Sequence, residues 1–325
     1  MRLATWQHAG AVQSGVVTDD GVHPFRPGMT VLDAVGLGLP AALDLGRRTV
    51  ASESATPLDV VRLLPPLTPP SVRDFAAFEQ HVRGALRSVT ATAVVPEEWY
   101  TAPAFYFSNP HGLMGAHDDV PVPPGCVRFD FELEVAAILT GEGRSLNVAE
   151  ADKHIFGYAI LNDWSARDVQ SREMRIGLGP VKSKDTATTL GPWIVTRDEL
   201  DPLMDEEGFL PLKMAVTVND AEVGNDVLSN MAWTFPELVA QASRGTVVRS
   251  GDVIGSGTCG NGGSLAELWG NHGEITPRPL DVGDVVAMTV SGLGEIRNRV
   301  VAGFDPPPVR SARRRGTPEV RETAL

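Results

Sequence analysis

The chain has 325 residues, 42% apolar and 21% charged, as in soluble globular proteins with one large domain or two unequal ones. A formal net charge of −13 argues against a phosphate-backbone partner, because nucleic-acid binders carry a basic footprint. The same charge repels a diacid at long range, so an acidic substrate must be captured by local Arg or Lys groups or by a metal.

Two cysteines, Cys126 and Cys259, are too few for a disulfide framework or a thiolate zinc site. The opening MRLATWQHAG has no charged start leading into an apolar stretch, and no run of about 18 apolar residues follows anywhere. The expectation is a cytoplasmic enzyme or metabolite-binding protein with no membrane or nucleic-acid partner.

In chain order, β-like runs at Leu3–Trp6 and Gly15–Val17 and a short helix around Thr30–Gly36 suggest a small N-terminal module over residues 1–64. The run Leu64-Pro65-Pro66-Leu67-Thr68-Pro69-Pro70 cannot lie inside a helix or central strand, and reads as the linker to a main domain over 65–304. Ser71 to Arg87 has helical character, and a loop follows through Pro96 and Pro103. Phe129–Leu139 reads as a strong strand, Val148–Phe156 as a short helix, Gly157–Asn162 as a strand and Ser165–Met174 as a helix. Further strands are expected at Pro192–Val195, Leu212–Val218, Asp252–Gly255 and Asp284–Val290. Gly and Pro turns at short spacing favour a β-rich mixed α/β fold with a rolled or barrel-like core. Residues 305–325 lack a hydrophobic face and are expected to be disordered.

Alternation along Phe129–Leu139 would put Asp130, Glu132 and Glu134 on one face and Phe131, Leu133 and Val135 on the other. Three acids on a strand face need solvent or a cation, so this strand reads either as an exposed edge or as a ligand set. Downstream, Asp163 stands where a strand gives way to a helix that Ser165 can cap, with Arg167 and Gln170 on one helix face. Upstream, Asp74 and His81 would share a face if the segment around them is one helix. Carboxylates with few nitrogen or sulfur partners favour Mg²⁺, Mn²⁺ or Ca²⁺ over zinc or copper.

The string NDWSARDVQ from Asn162, followed by LGPVKSKD and TTLGPW, resembles the signature of the fumarylacetoacetate hydrolase family. The D-F-x5-H element at Asp74 and the E-L-E strand at Glu132 match in the same order, and the resemblance runs from about Pro69 to Val301. It implies the family's mixed β-roll or barrel core, a homodimer, and Mg²⁺ held by Asp74, Glu132, Glu134 and Asp163, with Lys184 and Thr188 beside the shell. It implies that His81 is the general base and Glu267 the acid that orients it. Arg167, Gln170 and Thr258 would touch the substrate's oxygens, and Tyr106 would line the pocket.

The implied activity is hydrolysis of a C–C bond in a β-diketo acid such as an acylpyruvate, with the metal stabilising the enolate that leaves. Ala76 and Met174 stand where the fumarylacetoacetate-cleaving members carry tyrosines, and the stretch from Ser256 to Glu267 is shorter than in vertebrate-type members. Decarboxylation or tautomerisation of a 2-oxo diacid such as oxaloacetate is therefore the alternative.

Other features carry no role in this reading. Gly255-Ser256-Gly257-Thr258-Cys259-Gly260 satisfies G-x-G-x-x-G, but a poor helix start follows and no βαβ unit surrounds it. Its glycines are expected to let the backbone pass close to a ligand or a neighbouring strand. His111 and His117 are read as solvated loop imidazoles, and Arg313-Arg314-Arg315 as a solvated charge cluster. His8, His23, His154 and His272 have no partner motif, while Trp164 and Trp193 are expected in the core beside the site.

Overall fold

The computed structural model describes residues 1–90 and 94–313. From the Pro-rich tail, 305–313 runs as exposed chain without helix or strand, and 314–325 lies outside the described residues, as does most of the arginine run.

A mixed sheet of eleven strands forms the backbone of the fold. Its order runs Gly21–Pro24, Ala11–Thr18, Arg2–His8, Thr188–Thr196, Ile155–Asp163, Leu133–Leu139, Val253–Gly255, Val72–Phe75 and Phe105–Ser108. Two short strands, Arg62–Leu64 and Leu113–Met114, pair beside this path. A second sheet of five strands is built around Lys213–Val218, Val285–Val290 and Gly294–Val301. The fold is mixed α/β and strand-rich as expected, but neither sheet closes into a barrel, because the two end strands of each do not pair with one another.

The central strand Leu133–Leu139 is buried on both faces, which its near-continuous apolar run foreshadows. Leu133, Val135, Ala137 and Leu139 face the core shared with Met214, Val216 and Met288 of the second sheet. Ala136 and Ile138 face the opposite way, against Leu3, Val16, Phe25 and Val35 of the N-terminal region. Val72, Ala159 and Leu161 of the neighbouring strands join that second cluster. Side chains two residues further along those strands therefore share its face.

Seven α-helices flank the sheets among the described residues: α1 Val31–Gly36, α2 Leu39–Ser52, α3 Glu79–Thr90, α4 Val148–Asp152, α5 Arg167–Met174, α6 Phe235–Ser243 and α7 Leu265–His272. Thr30 and Asp33 close a capping box on α1.

Several expectations need correction. The segment from Ser71 is a strand, Val72–Phe75, before it becomes helix α3, because Ala77 is drawn into tertiary bonds with Ser256 and Ala232. Asp74 and His81 thus do not share a helix face. The strand expected over Phe129–Leu139 breaks at Phe131 and Glu132, where Leu133 N turns to the Gly263 carbonyl. Asp130, Glu132 and Glu134 consequently point to three different surroundings. Ser165 does not cap α5; its hydroxyl donates to the Asp163 carbonyl at 3.0 Å, and the residue before α5 is Ala166.

Candidate functional site

Three strands of the main sheet deliver one acid each to a common point. Asp74 follows Val72, Glu134 precedes Ala136, and Asp163 follows Leu161, so pleat alternation puts all three on the face of the N-terminal cluster. One carboxylate oxygen from each lies within 4.8 Å of the others, and all three residues are buried. Between Glu134 and Asp74 runs the strand Val253–Gly255, whose Gly255 pairs with Ala136 on one side and Asp74 on the other. A methyl group on Gly255 would lie 2.3 Å from Asp74 Oδ1 and 3.1 Å from Glu134 Oε2. The bare position is what lets the two carboxylates approach.

The electrostatics are those of crowded anions. Burial is the main cause that raises Asp74, Glu134 and Asp163 above ordinary carboxylate values, Asp163 to about 8, and the Asp74 charge adds to the effect on Glu134. Asp74 Oδ1 and Asp163 Oδ1 are buried without a hydrogen-bond partner. Orphaned carboxylate oxygens of this kind are what a hard cation consumes, and the all-oxygen donor set suits Mg²⁺, Mn²⁺ or Ca²⁺.

Tyr106, on the edge strand opposite Asp74, donates its hydroxyl to Asp163 and, at 3.2 Å, to Asp74. Thr258 donates to Glu134 at 3.4 Å, and Gly257 N to the other Glu134 oxygen at 3.1 Å. Thr188 is buried opposite Asp163 in the ladder, with its hydroxyl bonded to Ser108.

Glu132 stands apart from the close triad. Lys184 Nζ bridges Glu132 and Asp163 with two 2.5 Å bonds, and Arg167 Nη2 donates to Glu132 at 2.6 Å. Burial opposes the Glu132 charge, yet Lys184, Arg167 and His81 outweigh it and hold the carboxyl well below its usual range. Arg167 Nη1 donates to Gln170 at 3.0 Å, so the sequence neighbours on α5 meet as expected.

The third piece is a pair on crossing helices. His81 Nδ1 of α3 lies 3.5 Å from Glu267 Oε2 of α7, and His81 Nε2 lies 3.8 Å from Glu132 Oε1. Glycines set this crossing: a methyl on Gly270 would come within 1.9 Å of the Gly84 carbonyl oxygen. His81 Nδ1 and Glu267 Oε2 have no hydrogen-bond partner, so the pair is near contact rather than bonded.

The family profile described as Fumarylacetoacetate (FAA) hydrolase C-terminal matches residues 71–301, which hold every residue named above. The chain belongs to the fumarylacetoacetate hydrolase family. It is 29% identical over 292 residues to fumarylacetoacetase of Oryza sativa subsp. japonica, covering 74% of this chain and 68% of that one. It is 27% identical over 249 residues to oxaloacetate tautomerase YisK of Bacillus subtilis strain 168, covering 75% and 74%. Fumarylacetoacetases of Aspergillus fumigatus and Dictyostelium discoideum match over a shorter stretch, and the chain spans 39% of their length. Among solved structures, a probable 2-hydroxyhepta-2,4-diene-1,7-dioate isomerase from Mycobacterium abscessus superposes with a TM-score of 0.70 at 25% identity, covering 95% of this chain and 100% of that one. The family members matched are thus enzymes of several reaction types.

Some positions behave differently from the sequence reading. Asp130 leaves the acid face and accepts from Arg167 Nε at 2.8 Å and from the start of α7. Glu173 accepts from the backbone of Val181, Lys182 and Ser183, pinning the segment that carries Lys184; no motif signalled it. Trp164 is buried core, donating to Thr189, whereas Trp193 packs under Arg2 with the N-terminal strands, away from the site. His111 and His117 are exposed, as expected. Gly255–Gly260 is a strand end and loop closing on the acids rather than a phosphate cradle.

Proposed function

We propose that the chain is a divalent-metal-dependent enzyme that hydrolyses a C–C bond in a β-diketo acid of the acylpyruvate type, with Mg²⁺ as its metal. The observation that carries this reading is the buried triad Asp74, Glu134 and Asp163, with its unpartnered oxygens, next to the His81–Glu267 pair. Those three acids would hold the ion, with Glu132 joining the shell once a ligand draws on Arg167. A bound divalent cation supplies Lewis-acid polarisation of a carbonyl oxygen.

The protein's own groups account for the rest. His81 takes a proton from water, whose oxygen attacks the substrate carbonyl, and returns it to the carbon released when the C–C bond breaks. Glu267 orients the imidazole and offsets its positive charge. Lys184 is kept charged inside the protein because Asp163 and Glu132 outweigh the burial that opposes it. Arg167, beyond its three bonds, keeps an N–H on each terminal nitrogen for a carboxylate, and Gln170, Thr258 and Tyr106 would contact the same substrate. A cytoplasmic homodimer, with an N-terminal module over 1–64 and a catalytic domain over 65–304, belongs to the same proposal.

A second reading, tautomerisation or decarboxylation of a 2-oxo diacid such as oxaloacetate, is favoured by the match to the Bacillus tautomerase and by Ala76 and Met174 in place of tyrosines. Incubation with Mg²⁺ in H₂¹⁸O with a panel of acylpyruvates and, separately, with oxaloacetate distinguishes the two. Label in the product acid, with kcat lowered about 10²–10⁴-fold in His81→Ala, is the expected result. Consumption of oxaloacetate enol without label, and no cleavage of any acylpyruvate, would replace hydrolysis with the second reading.

A further inference from the structure

Asp130 neither joins the triad nor, as Glu132 does, shares Lys184 with it, and it is completely buried. Its Oδ1 accepts from Phe131 N at 2.8 Å and Leu265 N at 2.9 Å. Its Oδ2 accepts from Ala266 N at 3.0 Å and Arg167 Nε at 2.8 Å. Three chain segments meet there. The short strand Phe129–Asp130 pairs with Ser165–Ala166, and Arg167 N continues that pairing to the Arg128 carbonyl at 2.9 Å. The third segment is the first turn of α7, whose remaining N–H, on Glu267, goes to Ser264 Oγ at 3.2 Å. A helix start leaves N–H groups that need acceptors, and here another segment's carboxylate provides them.

We propose that Asp130 is a positioning residue that sets Arg167 and helix α7 in one frame. Through Nε it fixes the plane of the guanidinium, and so the direction of the N–H groups left for a substrate carboxylate. Through Leu265 and Ala266 it fixes the start of α7, and so the place of Glu267 against His81. The inference rests on the roles given to Arg167 and Glu267 under the proposed function. An asparagine cannot take over. Whichever way it turns, its amide N–H₂ meets donors, either Phe131 and Leu265 or Arg167 and Ala266.

The test is Asp130→Asn, alone and combined with Arg167→Met, read by Mn²⁺ and oxalate calorimetry and by kcat and KM on an acylpyruvate that the wild type cleaves. Mn²⁺ affinity is expected to stay within about threefold of wild type, while oxalate affinity and kcat each fall by about tenfold or more. In the Arg167→Met background the same change should leave KM and oxalate affinity unmoved and still lower kcat, because its hold on α7 remains. Oxalate affinity and kcat within about threefold of wild type in Asp130→Asn would overturn the proposal, and so would a parallel loss of Mn²⁺ affinity. If the asparagine variant does not fold, Asp130→Ser, which leaves no trapped amide, carries the same comparison. If the wild type cleaves no acylpyruvate, the functional reading has failed, and the link is read from urea unfolding. Coupled effects of Asp130→Asn and Arg167→Met would then sustain it, and additive effects would refute it.

Discussion

The acids on the sheet and the histidine pair on the helices are held in opposite ways. Asp74, Glu134 and Asp163 ride on hydrogen-bonded strands, where register fixes each side chain to a face and a depth. His81 and Glu267 ride on α3 and α7, and what brings them near is the close approach of Gly84 and Gly270 rather than a ladder. The sheet gathers one oxygen from each of three strands within 4.8 Å of the others, whereas the helices bring a single pair to 3.5 Å without a hydrogen bond. A ladder suits an ion site, which needs fixed distances. A helix crossing would suit the proton carrier proposed at His81, since catalytic hydrogen bonds commonly tighten only with substrate in place.

Perturbing each region should separate these behaviours. The largest effect is expected from Gly255→Ala, whose methyl falls 2.3 Å from Asp74 Oδ1. Divalent-metal affinity should drop by about 10–100-fold by calorimetry, with turnover following it, and overpacking should cost about 1–3 kcal/mol in urea unfolding. Intact metal affinity would show that the strand between the acids can yield. A smaller, different loss is expected from Gly270→Ala, which drives α7 off α3 at the Gly84 carbonyl. Here kcat should fall about tenfold while metal affinity holds. If both fall together, the two regions are not separable.

The smallest effect belongs away from both regions, at Asp284, whose pKa is lowered to about 2, chiefly by the hydrogen bonds from Arg278. A carboxyl lowered in the folded state adds stability above its unfolded pKa, and that stability is lost as pH falls through the folded value. Wild type should therefore exceed Asp284→Asn by about 1 kcal/mol at neutral pH, the exposed Arg278 limiting the gain. The gap should close between about pH 4 and pH 2, with urea midpoints as the measure. A gap that is independent of pH would show that the Asp284 charge carries none of the effect.

Much of the site was legible because its chemistry sits in short strings. Glu132 and Glu134 on an apolar strand, and Asp163 just ahead of Arg167 and Gln170, are local patterns; the central strands around them emerge within a few residues, whereas Phe105–Ser108, Ala221–Val227 and Gly294–Val301 go unread. What escaped depended on contacts across the chain. Nothing in Ser71–Arg87 reveals that Ala77 bonds to Ser256 and Ala232, so the sequence there predicts one helix where a strand gives way to a helix between Asp74 and His81. Alternation assigned Asp130 to the wrong face because the strand breaks at Glu132, where Gly263 captures the next N–H. Helix α2 went unread behind Gly38 and Pro40, although proline is well placed at a helix start. The glycines of the 255–260 stretch were correctly tied to close backbone approach, but not to the acids they serve.

Gly255 has a meaning for anyone who would move this site elsewhere. Copying the reactive side chains onto another sheet would copy the charges and omit the vacancy between them. With any larger residue on the middle strand, a side chain would press on both outer acids that the proposed ion needs together. Part of the recipe is an atom left out, and a search that scores only what side chains can do passes over it.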